Sequence, residues 1–190
     1  MGHRAVFLDR DGTINEERGH IQSPEKLVLL SGATAAIRNL NRSIYRTVIV
    51  TNQSVIARGK CTEAGMKAIH NRLEFLMKAD GAFVDGIYYC PHHPDSGIAG
   101  GRQDLKIVCD CRKPKPGLIT RAAKEMNIDL NLSWMVGDMA SDIETASRAG
   151  IRSVLLTQQS SCNNQEYVNP DAECLDLKDA VKLILNYPIN

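Results

Sequence analysis

The chain has 190 residues, of which 43% are hydrophobic and 24% charged, and its formal net charge is +1 at pH 7. These values are ordinary for one globular domain, so we expect a single domain over residues 1–190. A nearly neutral charge argues against nucleic-acid binding and a membrane-surface role, which favour a basic excess. We find no signal-peptide pattern and no apolar run of membrane-spanning length, and therefore expect a cytoplasmic protein. We also expect it to be a monomer.

Short apolar runs alternate with helical patterns along the chain. The apolar runs predict buried strands at residues 5–8, 47–50, 86–89, 133–136 and 153–156. The 3.6-residue periodicity predicts helices over residues 32–42, 62–77, 116–126, 140–149 and 177–185. Residues 157–171, rich in Gln, Ser and Asn, are typical of a surface loop. This alternation predicts a doubly wound, Rossmann-like α/β fold: a parallel sheet with helices on both faces.

Two aspartates, Asp9 and Asp11, follow directly after the first predicted strand. Open α/β sheets bind ligands beyond the carboxyl ends of their strands, and residues two apart in extended chain project to the same side. Two carboxylates so close would repel unless a cation intervened, which favours a hard divalent metal such as Mg²⁺. An ordinary polar turn is the alternative, because Asp and Gly are common in turns.

Polar residues also follow two other predicted strands. Thr51 and Asn52 come after the second, and Gly137 and Asp138 after the fourth, with Asp142 four residues further on. An acidic residue at a helix N-terminus can simply complement the helix dipole. Several acidic positions converging on one edge of a sheet instead favour a metal-dependent site.

One histidine and three cysteines form two tight pairs, Cys90 with His92 and Cys109 with Cys111. Thiolates and imidazole in a group of four are typical of a tetrahedral structural zinc site, so we predict a zinc loop over residues 90–111. A disulfide is the rival interpretation, which a cytosolic setting disfavours. The adjacent His93 is the alternative nitrogen ligand.

Two cations, Arg112 and Lys113, follow the last of these cysteines. Pro114 and Pro116 stiffen the backbone around them. A fixed lysine is a good counter-charge for a phosphoryl oxygen, and arginine can clamp one with two hydrogen bonds. The alternative for this stretch alone is a solvated basic turn.

Together these motifs resemble those of the haloacid-dehalogenase (HAD) phosphatase superfamily, with Asp9-x-Asp11-x-Thr13, Thr51, Lys113 and Gly137-Asp138-x-x-x-Asp142 as its four motifs. More narrowly, five segments between about residues 5 and 156 resemble the heptose-1,7-bisphosphate 7-phosphatase family. These segments are residues 7–15, 50–54, 56–60, 88–94 and 109–114.

This resemblance implies a Mg²⁺-dependent phosphatase that removes the 7-phosphate of D-glycero-D-manno-heptose 1,7-bisphosphate through an aspartyl phosphate, in heptose synthesis for lipopolysaccharide or surface glycans. Asp9 would be the nucleophile and Asp11 the acid/base, with Thr51 and Lys113 steadying the phosphoryl group. Mg²⁺ would be held by Asp9, the backbone carbonyl of Asp11 and Asp138, with Asp142 in support. A structural Zn²⁺ would be held by Cys90, His92, Cys109 and Cys111. The residues facing the sugar and its other phosphate would be Glu17, Arg18, Gly19, His20, Asn52, Gln53, Ser54 and Arg112.

Three features depart from that family pattern. Val55 stands where a glycine is expected, Met139 stands where a charged residue contacts substrate, and the segment between His92 and Cys109 is longer. They leave the exact sugar open. The alternatives are a histidinol-phosphate phosphatase, a phospho-aspartate signalling module that acts by binding a partner, and a zinc-dependent nucleic-acid binder, the last disfavoured by the net charge.

Overall fold

The computed structural model describes residues 2–95, 100–158 and 169–188. Within these residues, strands and helices alternate from the N-terminus onward. The strands are β1 (Arg4–Leu8), β2 (Tyr45–Asn52), β3 (Gly86–Cys90), β4 (Trp134–Gly137), β5 (Arg152–Leu156) and β6 (Ala172–Cys174). The helices are α1 (Ala33–Asn41), α2 (Glu63–Ala79), α3 (Gly117–Met126), α4 (Ala140–Ala149) and α5 (Leu177–Asn186).

The six described strands form one parallel sheet in the order β3-β2-β1-β4-β5-β6. The first strand is therefore central, with β2 on one side and β4 on the other. Leu8 at its end pairs with Ile49 of β2 and with Val136 of β4. This register brings the carboxyl ends of β1, β2 and β4 together at one edge of the sheet.

Both faces of the sheet are covered by helices, as its alternating side chains require. Val6 and Leu8 of β1 belong to one buried apolar cluster, which α1, α2 and α5 complete. Ala5 and Phe7 point to the other cluster, which α3 and α4 complete. Burial on both faces explains why residues 5–8 of β1 form an uninterrupted apolar run in the sequence.

The predicted doubly wound α/β fold is confirmed. One described strand, β6, was not predicted. It has only three residues, one of them a glutamate, and shows no apolar run. It is recognised as a strand only from its pairing with β5 in the structure. The predicted surface loop over 157–171 lies largely outside the described residues, which lack 159–168. No helix in the described part of the chain is long and apolar enough to cross a membrane.

Candidate active site

A cavity of about 420 Å³ opens at the carboxyl ends of the central strands. Most of the residues that the sequence predicted for the site line it: Asp9, Asp11, Glu17, Gly19, His20, Thr51, Asn52, Gln53, Ser54, Arg112 and Lys113. Arg18 is not among the lining residues, because its guanidinium pairs at the surface with Glu16, 2.6 Å away. Asp138 is buried next to the lining residues.

The floor of the cavity is organised by the buried ammonium of Lys113. Its Nζ lies 2.7 Å from Asp9 Oδ1 and 2.6 Å from Asp142 Oδ1. Burial disfavours the charge on this ammonium, but the carboxylates of Asp142 and Asp9 outweigh that effect and hold the pKa of Lys113 above its usual range. Lys113 is therefore a permanent cation beside the predicted nucleophile.

One ammonium does not balance the three carboxylates that surround it. Burial raises the pKa of Asp9 to about 6, and the Asp142 carboxylate adds to the rise although Lys113 opposes it. Burial raises the pKa of Asp138 to about 8, with Asp9 and Asp142 as further causes. The protein alone thus stabilises only part of this negative charge, and the site lacks positive charge when all three groups are ionised.

This donor set fits a divalent metal such as Mg²⁺. One carboxylate oxygen from each of Asp9, Asp138 and Asp142 lies within 4.8 Å of the others, and all three residues are buried. Oxygen donors and uncompensated charge are what Mg²⁺ binds in proteins. Asp142 also accepts hydrogen bonds from the Lys113 ammonium and from the backbone N–H of Met139. The carboxylate of Asp11 is not part of this group.

Two glycines allow the carboxylates to approach the backbone. Gly12 has a φ of +77°, and a Cβ atom there would overlap the Asp138 carboxylate. A Cβ atom at Gly137 would overlap the carboxylate of Asp142. Any side chain at either position would therefore displace an acid of the site.

Asp11 is held on one side by three side chains. Arg10 donates to both of its oxygens at 2.9–3.0 Å through Nη2, Asn15 donates to Oδ1 at 2.8 Å, and Gln53 donates to Oδ2 at 2.8 Å. The Asp11 side chain stays 16% exposed and lines the cavity. Its carboxylate is thus oriented by the fold before any ligand binds.

The amides of Asn52 and Gln53 form hydrogen bonds with neighbouring residues of the site. Asn52 accepts from the backbone N–H of Lys113 at 3.0 Å and donates to the backbone carbonyl of Lys113 at 3.1 Å. Gln53 accepts from Arg10, and its Nε2 lies 2.8 Å from Asp11 Oδ2 and 3.0 Å from Thr51 Oγ1. Both residues line the cavity, and their polar atoms contact Lys113, Asp11 and Thr51.

The four predicted zinc ligands form one cluster. Their sulfur and Nδ1 atoms, from Cys90, His92, Cys109 and Cys111, are separated by 3.2–3.6 Å in the contacts that link them. Ligands about 2.3 Å from a tetrahedral zinc lie roughly 3.7 Å from one another, so this cluster fits Zn²⁺. All three cysteines are free. The alternative ligand His93 instead faces Arg58, with Nε2 3.0 Å from Nη2.

The zinc cluster is coupled to the cations of the cavity. Arg112 follows ligand Cys111 in sequence, and its Nη1 donates to the backbone carbonyl of ligand His92 at 3.2 Å. The next residue, Lys113, is held by Asn52 of β2. The zinc loop therefore ties both cations to the end of the sheet.

The sequence motifs did not single out Arg58 as a site residue, yet it lines the cavity. The segment 100–105 packs against it: a Cβ atom at Gly101 would overlap the Ala57 carbonyl, and Arg102 N donates to that same carbonyl at 2.9 Å. Burial, together with the charges of Arg58 and Lys60, lowers the pKa of His20. The cavity lining thus carries positive charge beyond Lys113, which suits an anionic ligand.

Comparison with known proteins agrees with this geometry. Residues 110–180 match the HAD-hydrolase-like family model. A crystal structure of D,D-heptose 1,7-bisphosphate phosphatase from B. bronchiseptica, complexed with magnesium and phosphate, superposes with a TM-score of 0.84 at 30% identity, covering 97% of this chain and 99% of that one. The fold and the site thus define a HAD-like phosphatase.

The sequence comparison narrows the class. The D-glycero-β-D-manno-heptose-1,7-bisphosphate 7-phosphatase of Salmonella typhi is 42% identical over 154 residues, which is 81% of this chain and 80% of that protein. The protein of the same name from Photorhabdus laumondii is 38% identical over 98% of this chain and 92% of its own length. The chain belongs to the D-glycero-β-D-manno-heptose-1,7-bisphosphate 7-phosphatase family, and the resemblance seen in the sequence is confirmed.

The cluster geometry predicts about one zinc per chain, bound by three sulfur atoms and one nitrogen. Elemental analysis of the purified protein gives the stoichiometry, and X-ray absorption at the zinc edge gives the ligand atoms. Cys174→Ser, at a cysteine outside the cluster, is expected to keep the metal, whereas Cys109→Ser is expected to lose most of it. A protein that contains no zinc after expression in zinc-replete medium would contradict the assignment.

The charge balance predicts that stabilisation by Mg²⁺ grows with pH. An aspartate ionises near pH 4 in the unfolded chain, whereas the pKa of Asp138 is raised to about 8 in the metal-free fold. The folded state therefore binds more protons between these values, and metal-free stability falls as pH rises toward 8. Because Mg²⁺ needs the carboxylates, the rise in Tm on adding it should be larger at about pH 8 than at about pH 6.

Thermal unfolding with and without Mg²⁺ measures this difference. Asp138→Asn removes the titrating group and is expected to flatten the pH dependence of the metal-induced rise. Equal rises in Tm for the unmutated protein at both pH values would contradict the account of the site.

Proposed function

We propose that this protein is a Mg²⁺-dependent phosphatase that hydrolyses the 7-phosphate of D-glycero-β-D-manno-heptose 1,7-bisphosphate, in the synthesis of activated heptose for lipopolysaccharide or surface glycans. The observation that carries the proposal is the placement of Asp9. It lies at the floor of the cavity beside the Lys113 ammonium and within the group of three carboxylates that fits Mg²⁺. The family relatives bear the name of this activity.

Asp9 acts as the nucleophile in the first step. One of its carboxylate oxygens attacks the phosphorus of the 7-phosphate, and the bond from phosphorus to the sugar oxygen breaks. Asp11, two residues away and lining the same cavity, donates its proton to that leaving oxygen. Lys113 and Thr51 orient the phosphoryl oxygens. When bound by Asp9, Asp138 and the Asp11 backbone carbonyl, Mg²⁺ supplies positive charge that neutralises the transferring group.

The second step regenerates the enzyme. A water molecule attacks the phosphorus of the aspartyl phosphate, and Asp11, now a carboxylate, accepts a proton from that water. The bond from phosphorus to the Asp9 oxygen breaks, which releases inorganic phosphate and restores the Asp9 carboxylate. Asp11 therefore serves as acid and then as base, so its orientation matters in both steps.

The remaining phosphate of the substrate needs a cationic environment away from Asp9. Arg112 and Arg58 line the cavity, and both are held in place, Arg112 by the carbonyl of His92 and Arg58 by His93 and the segment 100–105. Arginine binds phosphate oxygens in a bidentate manner, so these two side chains are the proposed second phosphate site. Gly19 and His20 complete the lining on the sugar side.

The zinc is structural in this proposal, and the protein acts as one domain and as a monomer. Four-ligand thiolate and imidazole sites leave no open position for substrate. The cytoplasm is the proposed location, because free thiolate ligands persist where cysteines stay reduced.

Turnover of a substrate panel tests the proposal. With Mg²⁺ present, release of phosphate from the β and α anomers of D-glycero-D-manno-heptose 1,7-bisphosphate is compared with release from histidinol phosphate. We expect the β anomer to give the highest kcat/KM. Asp9→Asn is expected to abolish turnover, because an amide cannot form the aspartyl phosphate.

Asp9→Asn is expected to remain folded by circular dichroism, which separates lost chemistry from lost structure. Faster turnover of histidinol phosphate than of either heptose anomer would overturn the substrate assignment. Near-normal activity of Asp9→Asn would overturn the mechanism.

The coupling of the zinc loop to Arg112 and Lys113 predicts that Cys109→Ser damages catalysis through these cations. Without a zinc ligand the loop is free, and displacement of a catalytic group by about 1 Å can cost on the order of a hundredfold in rate. Steady-state kinetics at saturating Mg²⁺ should show lost turnover in Cys109→Ser and in Lys113→Ala. Cys174→Ser is the matched control and should retain activity. Full activity in Cys109→Ser would show that the zinc loop does not position the cations.

A further inference from the structure

A buried arginine stands between the two motif aspartates, and the proposed mechanism gives it no chemical step. Arg10 has no exposed surface, although its neighbours Asp9 and Asp11 both line the cavity. A buried guanidinium is tolerated only when its donors are paired, because an unpaired buried charge is strongly destabilising. The partners of Arg10 therefore indicate what this charge does.

One end of the Arg10 guanidinium donates hydrogen bonds to the Asp11 carboxylate. Nη2 donates to both carboxylate oxygens, and Nε lies 3.2 Å from Oδ1. The same Nη2 lies 3.0 Å from the side-chain oxygen of Gln53, which itself donates to Asp11. The arginine thus sets the plane of the Asp11 carboxylate, since a bidentate pair is geometrically specific.

The other end of the guanidinium meets helix α2. Nη1 lies 3.2 Å from Nε2 of His70 and 3.4 Å from the sulfur of Met66, and all three residues are buried. Arginine has donors and no acceptor, so Nε2 of His70 must accept, and the ring carries its proton on Nδ1. Burial and the charge of Arg10 lower the pKa of His70 to about 4, in agreement with a neutral ring. The ring of Tyr89 packs edge-on against it at 5.3 Å.

We propose that His70 is a positioning residue for the acid/base Asp11, acting through Arg10. The neutral imidazole accepts from Nη1 and so fixes the guanidinium, whose opposite end fixes the carboxylate. This inference rests on the proposed function, in which Asp11 donates a proton to the leaving oxygen and later accepts one from water. It extends the site to helix α2, which contributes no residue to the cavity.

Removal of the acceptor at position 70 would leave Nη1 facing only a thioether, which is a weak acceptor. The guanidinium would then turn toward another acceptor and carry Asp11 with it. A misplacement of about 1 Å can cost on the order of a hundredfold in rate, so even a small rotation is expected to slow turnover. Substrate binding depends on other side chains and should change little.

A pair of amide variants isolates this role. In His70→Gln the side-chain oxygen can take the place of Nε2, whereas in His70→Asn the amide is one methylene shorter and falls short of Nη1. Both introduce a buried amide, so their folding penalties are similar. We expect His70→Gln to keep kcat within about threefold of the unmutated protein and His70→Asn to lose roughly tenfold to a hundredfold, with KM nearly unchanged in both.

Pre-steady-state kinetics with an aryl phosphate supply a readout that a structural defect would not produce. Its leaving group is acidic enough to depart without a proton from Asp11, whereas the second step still needs Asp11 as base. In His70→Asn we expect a burst of aryl alcohol equal in amount to the enzyme, followed by slow turnover. Leu73→Ala, a cavity-forming change on the same buried face of α2, controls for lost stability and should retain kcat well below its Tm.

Equal losses of kcat in His70→Gln and His70→Asn would overturn the proposal, as would a burst amplitude reduced in proportion to turnover. Failure of the proposed substrate is separable from these outcomes. If the unmutated protein does not hydrolyse the heptose bisphosphate, the proposed function fails, while the aryl phosphate arm still tests the action of His70 on Asp11.

Discussion

The arrangement of the site depends on an excess of buried negative charge. Asp9, Asp138 and Asp142 meet where β1 and β4 end, and one ammonium, that of Lys113, lies among them. Carboxylates out of water repel one another strongly, so such a group persists only with cations at short range. The parallel register of the central strands brings the acids together. The cation has to come from elsewhere in the chain, and the protein supplies it from a loop.

The position of that loop accounts for the zinc cluster beside the magnesium site. A flexible segment could not hold Lys113 against three acids and Arg112 over the cavity at the same time. The zinc cluster fixes the segment from one side, through the sequence neighbour Cys111 and the carbonyl of His92. Asn52 fixes it from the other side through both backbone groups of Lys113. The positions of the two cations are thus determined jointly by metal coordination and by the sheet.

The sequence predicted those elements whose pattern lies within a few consecutive residues. The apolar run of β1, followed by Asp9 and Asp11, predicted a buried strand with a site at its end because both features lie within a few residues. The strand β6 was not predicted, because it is defined by its pairing with β5 and not by a pattern in its own side chains. The same limit applies to the site: spacing places Gln53 near the cavity, but only the fold shows its amide turned toward Asp11.

Side-chain contacts between residues far apart in the sequence were the least predictable feature of the site. Arg58 lines the cavity, and the distant segment 100–105 packs on the backbone of Ala57 and Arg58, which no pattern within 56–60 specifies. The buried guanidinium of Arg10 likewise contacts His70, sixty residues away in the chain. Arg18 was predicted to contact substrate, and in the structure its guanidinium pairs with the neighbouring Glu16. For Arg58 and Arg10 the contacting residues come from segments that lie far apart in the sequence, whereas the Arg18 pair is local.

The two glycines beside the acids have a consequence for how this enzyme can diversify. At Gly12 and Gly137 a single methyl group would strike a carboxylate, so the floor of the cavity tolerates no variation in side-chain size. Met139, by contrast, lines the cavity and is 42% exposed. Laboratory evolution toward other phosphate esters should therefore accumulate its changes at exposed lining positions such as Met139, while the acids at the floor of the cavity stay the same.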